Sequence, residues 1–379
     1  MRIFEIRPTQ ALEYQTLPPW PPAAPGGETG AQRRGSFLWL SITRDELKAD
    51  LPALQAALQR LCGVSLLALH VSALLNEQLP SHYDYTSAYD LLVMRRLASA
   101  EGATVSAEPA LRHGPPVLRR IDTRPVGFVV LEGVLLSVHP ADGSIRSAMA
   151  TRLLAANAPS AEPAIDTRTP SARLPSSPAD LMLRMLNQIV DGYLALRRDL
   201  TRQLDHWQAE LIDPKTRFSN WSALMHSRQS LHHLDEICED QRGAVQDWID
   251  AFEASSVSSA PETARERELL LVRGRDLLEH IQRVVHHVRR LEQNAETAVQ
   301  LHFSVQSHRT NDIMRVLTVL TAVFLPLNLV AGIFGMNFEF IPLIHKAGGF
   351  WIAMGLMAMM ALALVAVFWR KRYLTRTAK

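Results

Sequence analysis

The rhythm of hydrophobic and polar positions changes three times along this chain. From residue 1 to about 155, short apolar runs alternate with turns. MRIFEI and SFLWLSI read as short strands, AYDLLVMRRLA as a strand entering a charged end, and Val126 to Val138 as two strands around a Glu132-Gly133 turn. Asp45 to Leu61 reads as a helix, with Leu51, Leu54, Ala57 and Leu58 at helical spacing. Two stretches break the pattern as looped or disordered inserts: Leu17 to Gly35, rich in Pro and Gly, and Ala155 to Ser177, rich in Ala, Pro and Ser. The region as a whole is mixed α/β.

After Pro178 the period becomes that of long helices. One runs from Pro178 to about Leu211, Pro214 interrupts, and a second covers about Trp221 to Phe252. Glu253 to Ala260 is a turn, and Pro261 suits a first helical position. From there a helix of about 65 residues, some 95 Å long, can run to Pro326 with Gly274 as its weak point. Leu277, Ile281, Val284, Val288, Leu291, Ala295, Ala298, His302 and Val305 step by alternating fours and threes along it, a heptad seam that must pack on other helices. Those helices are either the two preceding ones or further copies of the chain.

The third rhythm is continuous apolarity. Val316 to Met336 and Phe350 to Trp369 contain no charged residue. Each is about 20 residues long, enough to cross a bilayer core as helix. Arg309 and Arg315 precede the first run, and Arg370, Lys371, Arg372 and Arg376 follow the second, whereas the loop between carries Lys346 and Glu339. The positive-inside rule therefore puts both termini in the cytoplasm. Trp351 and Trp369 stand at the two ends of the second run as interfacial anchors. The segment MRIFEIRPTQ lacks an apolar core, so no cleaved signal peptide is expected.

Composition narrows the function. The formal net charge is +2, which argues against a dedicated nucleic-acid binder. Cys62 and Cys238 form no CxxC pair, which argues against a disulfide framework or a Cys-based metal site and fits a cytosolic location. No P-loop, kinase or hydrolase motif is visible, and the acidic cluster Asp235, Glu236, Glu239 and Asp240 reads as a solvated helix face, so an enzyme is not expected.

Chemistry concentrates on the first span. Asn311, Met314, Leu317, Thr321, Leu325, Asn328 and Gly332 lie on one side of it. An unpaired amide in hydrocarbon is costly, so Asn328 faces either a partner helix or water. Gly335, Met336 and Asn337 close the span, where an amide and backbone carbonyls can hold a hydrated cation through oxygen contacts. One copy cannot enclose a pore with two helices, so a conducting reading requires a ring of copies. Pro326 removes one helical hydrogen bond, as a hinge or as a packing feature.

The runs NDIMRVLT from Asn311, FLPL from Phe324 and AGIFGMNF from Ala331 resemble the CorA family of divalent-cation transporters. The resemblance is unbroken over the pore helix, the Gly-Met-Asn mouth and the second span, and weaker over Arg275-Asp276, His280 and the strands of Val126 to Val138. It implies an α+β membrane protein with a cytosolic α/β funnel, a long stalk helix continuing into the first of two transmembrane helices, and a homopentamer. The implied divisions are 1–177 for the α/β domain, 178–315 for the helical stalk, 316–336 for the pore helix, 337–349 for the external loop, 350–369 for the outer helix and 370–379 for a basic tail. It further implies that Gly335, Met336 and Asn337 select hydrated Mg²⁺ at the external entrance, that Leu317 and Leu325 form hydrophobic constrictions, that Asn328 is a polar pore residue and that Asn311 marks the cytosolic pore end. The implied partners are further copies, membrane lipid and divalent ions, with no permanently bound cofactor, at the inner cell membrane.

Two departures bear on mechanism. Pro342 is followed by Leu343 rather than an acid, which leaves Glu339 as the one acid of the loop. The family's regulatory carboxylate pair is reduced to Asp276, because Ala73 occupies the other position, so gating by cytosolic Mg²⁺ is expected to be weak or relocated. His232/His233 and His286/His287 are adjacent pairs that diverge around a helix, and His280 and His287 lie two turns apart; they read as solvated or seam-edge histidines. Co²⁺ and Ni²⁺ are further candidate cargoes. The alternatives are a Zn²⁺ transporter of the same fold, proton-coupled, and a two-span membrane sensor whose spans only anchor it.

Overall fold

The computed structural model describes residues 1–18, 35–98, 121–156, 174–212, 221–255, 261–336 and 348–370. Two compact units divide the chain: Met1–Glu210 with Lys215–Ala295, and Leu211–Pro214 with Glu296–Lys379.

The first unit is built on a seven-stranded sheet. Its strands are β1 (Arg2–Ile6), β2 (Ala11–Tyr14), β3 (Phe37–Thr43), β4 (His82–Tyr85), β5 (Asp90–Leu97), β6 (Thr123–Leu131) and β7 (Val134–His139). They lie in the order β2-β1-β3-β7-β6-β5-β4. Only β3 and β7 pair in parallel, with Leu38 opposite Val134 and Thr43 opposite His139. All of β7 and nearly all of β3 are buried, as strands covered on both faces must be. Leu38, Leu40 and Ile42 meet Leu136, Val138, Leu47, Leu54, Leu58, Val71 and Leu74 in one apolar cluster. That cluster seats helices α1 (Arg44–Cys62) and α2 (Ala68–Leu75) on one face of the sheet. Thr43 and Glu46 cap α1 reciprocally, and α1 kinks at Asp50, just before Pro52.

The strands and the helix read from periodicity are present, and β6 and β7 join through Glu132 and Gly133, the latter at φ 71°. Four elements go beyond that reading: β2, β4, α2 and α3 (Ser144–Ala155). β2 and β4 are four-residue edge strands, too short to show a period, and α2 is a mostly apolar octet, broken by His70 and Ser72, that is too short for periodicity to settle its type. Most of the two inserts, residues 19–34 and 157–173, lies outside the described residues.

Several buried polar groups in this unit are tied down. The Trp39 indole N–H donates to Ser137 Oγ at 2.7 Å, and His139 Nε2 lies 2.8 Å from the same oxygen. Burial, with Arg146, Arg96 and Arg44 nearby, pushes the His139 pKa down to about 3. The Arg95 carbonyl accepts from Tyr193 Oη at 3.0 Å and from Gln241 Nε2 at 2.6 Å. These bonds fix α4 (Pro178–Ile212) and α5 (Trp221–Ala254) to strand β5.

α6 (Pro261–Phe334) is a single 74-residue helix that passes through Pro326, and α7 (Gly349–Arg370) follows. Within the first unit the α6 seam is covered: Leu277, Ile281, Val284, Val288, Leu291 and Ala295 are all buried. Its partners there belong to the same chain. Asp180, 1 % exposed at the start of α4, pairs with Arg184 and with Arg273 of α6. Arg289 of α6 bridges Asp235 and Glu239 of α5. Gly274 is a point of close approach, because a Cβ there would lie 2.9 Å from the Trp248 ring.

Candidate ion-conduction helix

The chemistry singled out in the sequence sits on the second-unit part of α6. Between residues 316 and 334 one residue is buried, Val319 at 6 %, and Ala322, Val323, Pro326, Leu327, Val330 and Phe334 are partly covered. At about 100° per residue, all of these lie within about 80° of Val319. α7 carries a matching stripe, with Ala353 buried and Met357, Met360, Ala361, Leu364 and Phe368 partly covered at spacings of mostly three and four. Each helix thus has one covered face, the pattern of two spans packed along a single stripe. Pro326 belongs to that packing face.

The candidate conduction residues occupy the opposite face. Met314, Leu317, Thr321, Leu325, Asn328 and Gly332 point about 120–180° away from Val319, and Asn311 sits at the margin, about 80° away. All seven are exposed, Leu317 at 53 % and Leu325 at 69 %. The Thr321 hydroxyl donates to the Leu317 carbonyl at 2.8 Å, so the threonine is satisfied within its own helix and still presents an oxygen on this face.

At the end of α6 the Gly335 N–H donates to Ala331 O at 2.9 Å and to Gly332 O at 3.2 Å, and the Met336 N–H donates to Ile333 O at 3.3 Å. A Cβ on Gly335 would stand 3.1 Å from the Ala331 carbonyl, so a side chain crowds this last turn. A helix C-terminus leaves carbonyls without intrahelical partners and carries partial negative charge. Asn337 and Glu339, which complete the sequence reading of this mouth, lie outside the described residues.

The remaining predicted sites belong to the first unit. The Asp276 side chain is 58 % exposed, with His280 Nε2 3.8 Å from its carboxylate. Ala73 is half-buried on α2 beside the apolar cluster. His287 meets the Thr201 hydroxyl at 2.9 Å, and His232 lies between Glu236 and Glu292. Among the described residues, no group of three or more His, Cys, Asp or Glu side chains is placed to hold a metal. The acidic cluster on α5 is more than a solvated face. Asp235 and Glu239 hold Arg289 of α6, and the Arg242 hydrogen bond, with Arg289 beside it, draws the Glu239 pKa down. Sequence reasoning missed this brace and the Asp180–Arg273 pair because both join residues far apart in the chain; only the Asp180–Arg184 spacing of four was visible beforehand.

An α/β domain, a long helix and two candidate membrane spans define a class of two-span membrane protein. A sequence profile described as "CorA-like Mg2+ transporter protein" matches residues 35–372, and the chain belongs to that family. It is 24 % identical over 194 residues to the cobalt/magnesium transport protein CorA of Thermotoga maritima, covering 51 % of this chain and 52 % of the relative. It is 35 % identical over 104 residues to the magnesium transport protein CorA of Haemophilus influenzae, covering 27 % of this chain and 33 % of the relative. In these alignments the chain spans about half the length of the curated relatives it matches, or less. The fold is similar to the complete structure of the CorA magnesium transporter from Methanocaldococcus jannaschii, with TM-score 0.66, 16 % identity and 98 % coverage of both chains.

Proposed function

We propose that this chain conducts hydrated divalent cations, Mg²⁺ foremost and Co²⁺ or Ni²⁺ secondarily, across the inner cell membrane. In this reading five copies of α6 surround an axis, with α7 outside them and both termini in the cytoplasm. The observation that carries the reading is the face of α6 opposite its α7-packing stripe. It is uncovered in a single copy, dotted with amides and a hydroxyl, and ends at Gly335.

The steps follow from the residues. Mg²⁺ is small and gives up its waters reluctantly, so a ring that touches the water shell selects it without dehydration. Gly335 and Met336 carbonyls and the Asn337 amide supply that ring, and the negative ends of the surrounding α6 helices favour a cation there. Glu339 adds attraction in the loop. Leu317 and Leu325 are apolar constrictions that close by dewetting, while Asn328 above them, Thr321 between them and Asn311 below them re-solvate the ion. The inside-negative membrane potential drives entry, and no bound cofactor is required. With Ala73 in place of a carboxylate, Asp276 alone gives cytosolic Mg²⁺ weak leverage over gating.

The test is metal uptake into proteoliposomes holding the purified chain, comparing Mg²⁺, Co²⁺ and Zn²⁺ with and without a proton gradient. Mg²⁺ flux without a gradient, lost in Asn337→Ala, is the expected result. Zn²⁺ flux that requires the gradient would replace the reading with proton-coupled zinc transport, and absence of flux for every metal would favour a sensor.

A further inference from the structure

The heptad frame of α6 extends the candidate conduction face beyond Asn311 toward the N-terminus of the helix. The covered seam steps through Ala298, His302 and Val305, and Val319 lies two heptads beyond Val305. The two stretches therefore share one heptad register, with Arg309, Asp312 and Val316 exposed between them. In that frame, positions a whole number of heptads apart return to the same side of the helix. Phe303 lies two heptads before Leu317, about 21 Å away along the helix. Gln300 and Ser307 are likewise two heptads before Met314 and Thr321. All three are exposed, and Phe303 is exposed at 61 % within the strongly polar segment QLHFSVQSHRTN. The His302 ring stands edge-on to Phe303, with centroids 6.2 Å apart and planes at 77°.

We propose that Phe303 from each copy forms an aromatic ring on the conduction axis, four turns to the cytosolic side of Leu317, and that this ring is a hydrophobic constriction additional to those at Leu317 and Leu325. The proposal rests on the pore reading above and adds a flux-determining residue to it. A phenyl ring offers no oxygen to a hydrated Mg²⁺, and the ion keeps its waters. A narrow aromatic collar therefore excludes both water and ion when the helices are close, and passes them when the helices separate. Gln300 and Ser307 flank it with polar groups, so the barrier is confined to about one turn.

The experiment uses the full chain in proteoliposomes. Phe303→Ala should raise Mg²⁺ flux severalfold, and Phe303→Leu should keep it near the unsubstituted level. Phe303→Cys should lose flux when a bulky cationic thiol reagent is added from the cytosolic side. Leu301→Cys, 44 % exposed but on a different side of the helix, should not respond. The native thiols suit this design, because burial pushes Cys62 up to about 11 and Cys238 up to about 12. Unchanged flux in Phe303→Ala and an inert Phe303→Cys, alongside loss of flux in Asn337→Ala, would overturn the proposal and leave the pore reading standing. Reduced flux in Phe303→Ala with dissociation of the oligomer would overturn it too, by putting Phe303 between copies. Full flux in Asn337→Ala would remove the pore reading and this proposal with it.

Discussion

Residues 277–295 and 316–334 belong to one helix, and both are rich in large apolar side chains, yet they are covered in opposite ways. In the first stretch Leu277, Ile281, Val284, Val288 and Leu291 are at most 4 % exposed. In the second, Leu317, Leu320, Leu325 and Leu329 are 53–69 % exposed. The first unit completes itself: α6 finds partners there in α4 and α5 of the same chain, through Asp180 and Arg273 and through Arg289 with Asp235 and Glu239. The second unit covers one stripe per helix and leaves the rest exposed. Hydrophobicity therefore reports burial only where water is the alternative. Inside a bilayer apolar side chains lose nothing by exposure, and polar ones mark the faces that must meet each other or water.

The sharpest way to break this contrast is to make the same substitution in both units. Leu40→Ala, in the sheet core, should destabilise the first unit by about 3 kcal/mol. Leu362→Ala, 71 % exposed on α7, should change stability by less than about 0.5 kcal/mol. Denaturant unfolding read by fluorescence of the buried Trp39 and Trp248 separates the two; equal effects would mean that the second unit also holds a packed core.

Asp180→Asn probes the self-completion directly. It leaves Arg273 and Arg184 facing a neutral group in a nearly water-free position and should cost about 3 kcal/mol. A Phe252→Leu change, which leaves that charge pair intact, is the comparison. If Asp180→Asn unfolds at the unsubstituted denaturant midpoint, the charge pair is not what anchors α6.

His139 extends the contrast to pH. Burial holds its folded pKa at about 3, below the ordinary histidine value near 6.5, so the fold favours the neutral ring. Between those values the unfolded chain binds the extra proton. Stability from this group is therefore complete above about pH 6.5 and is lost as pH falls toward 3. Between pH 7 and pH 5 the chain should lose about 2 kcal/mol more than His139→Gln does. Parallel pH profiles of the two proteins would show that the ring titrates normally.

The smallest expected effect concerns Ala73. Restoring a carboxylate with Ala73→Asp should produce Mg²⁺-dependent protection of α6 near Asp276 in hydrogen exchange, and the unsubstituted chain should show little. A sharp millimolar Mg²⁺ response in the unsubstituted chain, abolished by Asp276→Ala, would contradict the weak-gating reading.

Much of this architecture was legible beforehand where a period repeats many times. The seam from Leu277 to Ala298, the two spans and the β6–β7 hairpin are of this kind, because each residue reinforces the same face. Short elements carried no such signal. β2 and β4 exist because longer neighbours offer them backbone partners, and α2 because it is seated on the sheet. The candidate conduction stripe was readable as polar residues in an apolar run, but its relation to the packing face was not. That needed Val319 and Ala353, whose burial distinguishes one side of α6 from the other.

By itself the sequence determined the local rules of this protein. Two apolar lengths match a bilayer, a heptad seam has to be covered, and a glycine-ended helix closes the first span, all consequences of period, length and backbone sterics that neighbours in the chain impose on one another. The tertiary structure alone decided what covers the seam, why Gly274 and Asp180 stand where they do, that Pro326 lies on the covered stripe of α6 rather than the opposite one, and that His139 is held neutral. Each of these depends on groups brought together from distant parts of the chain, whose contacts and desolvation have no counterpart in local sequence.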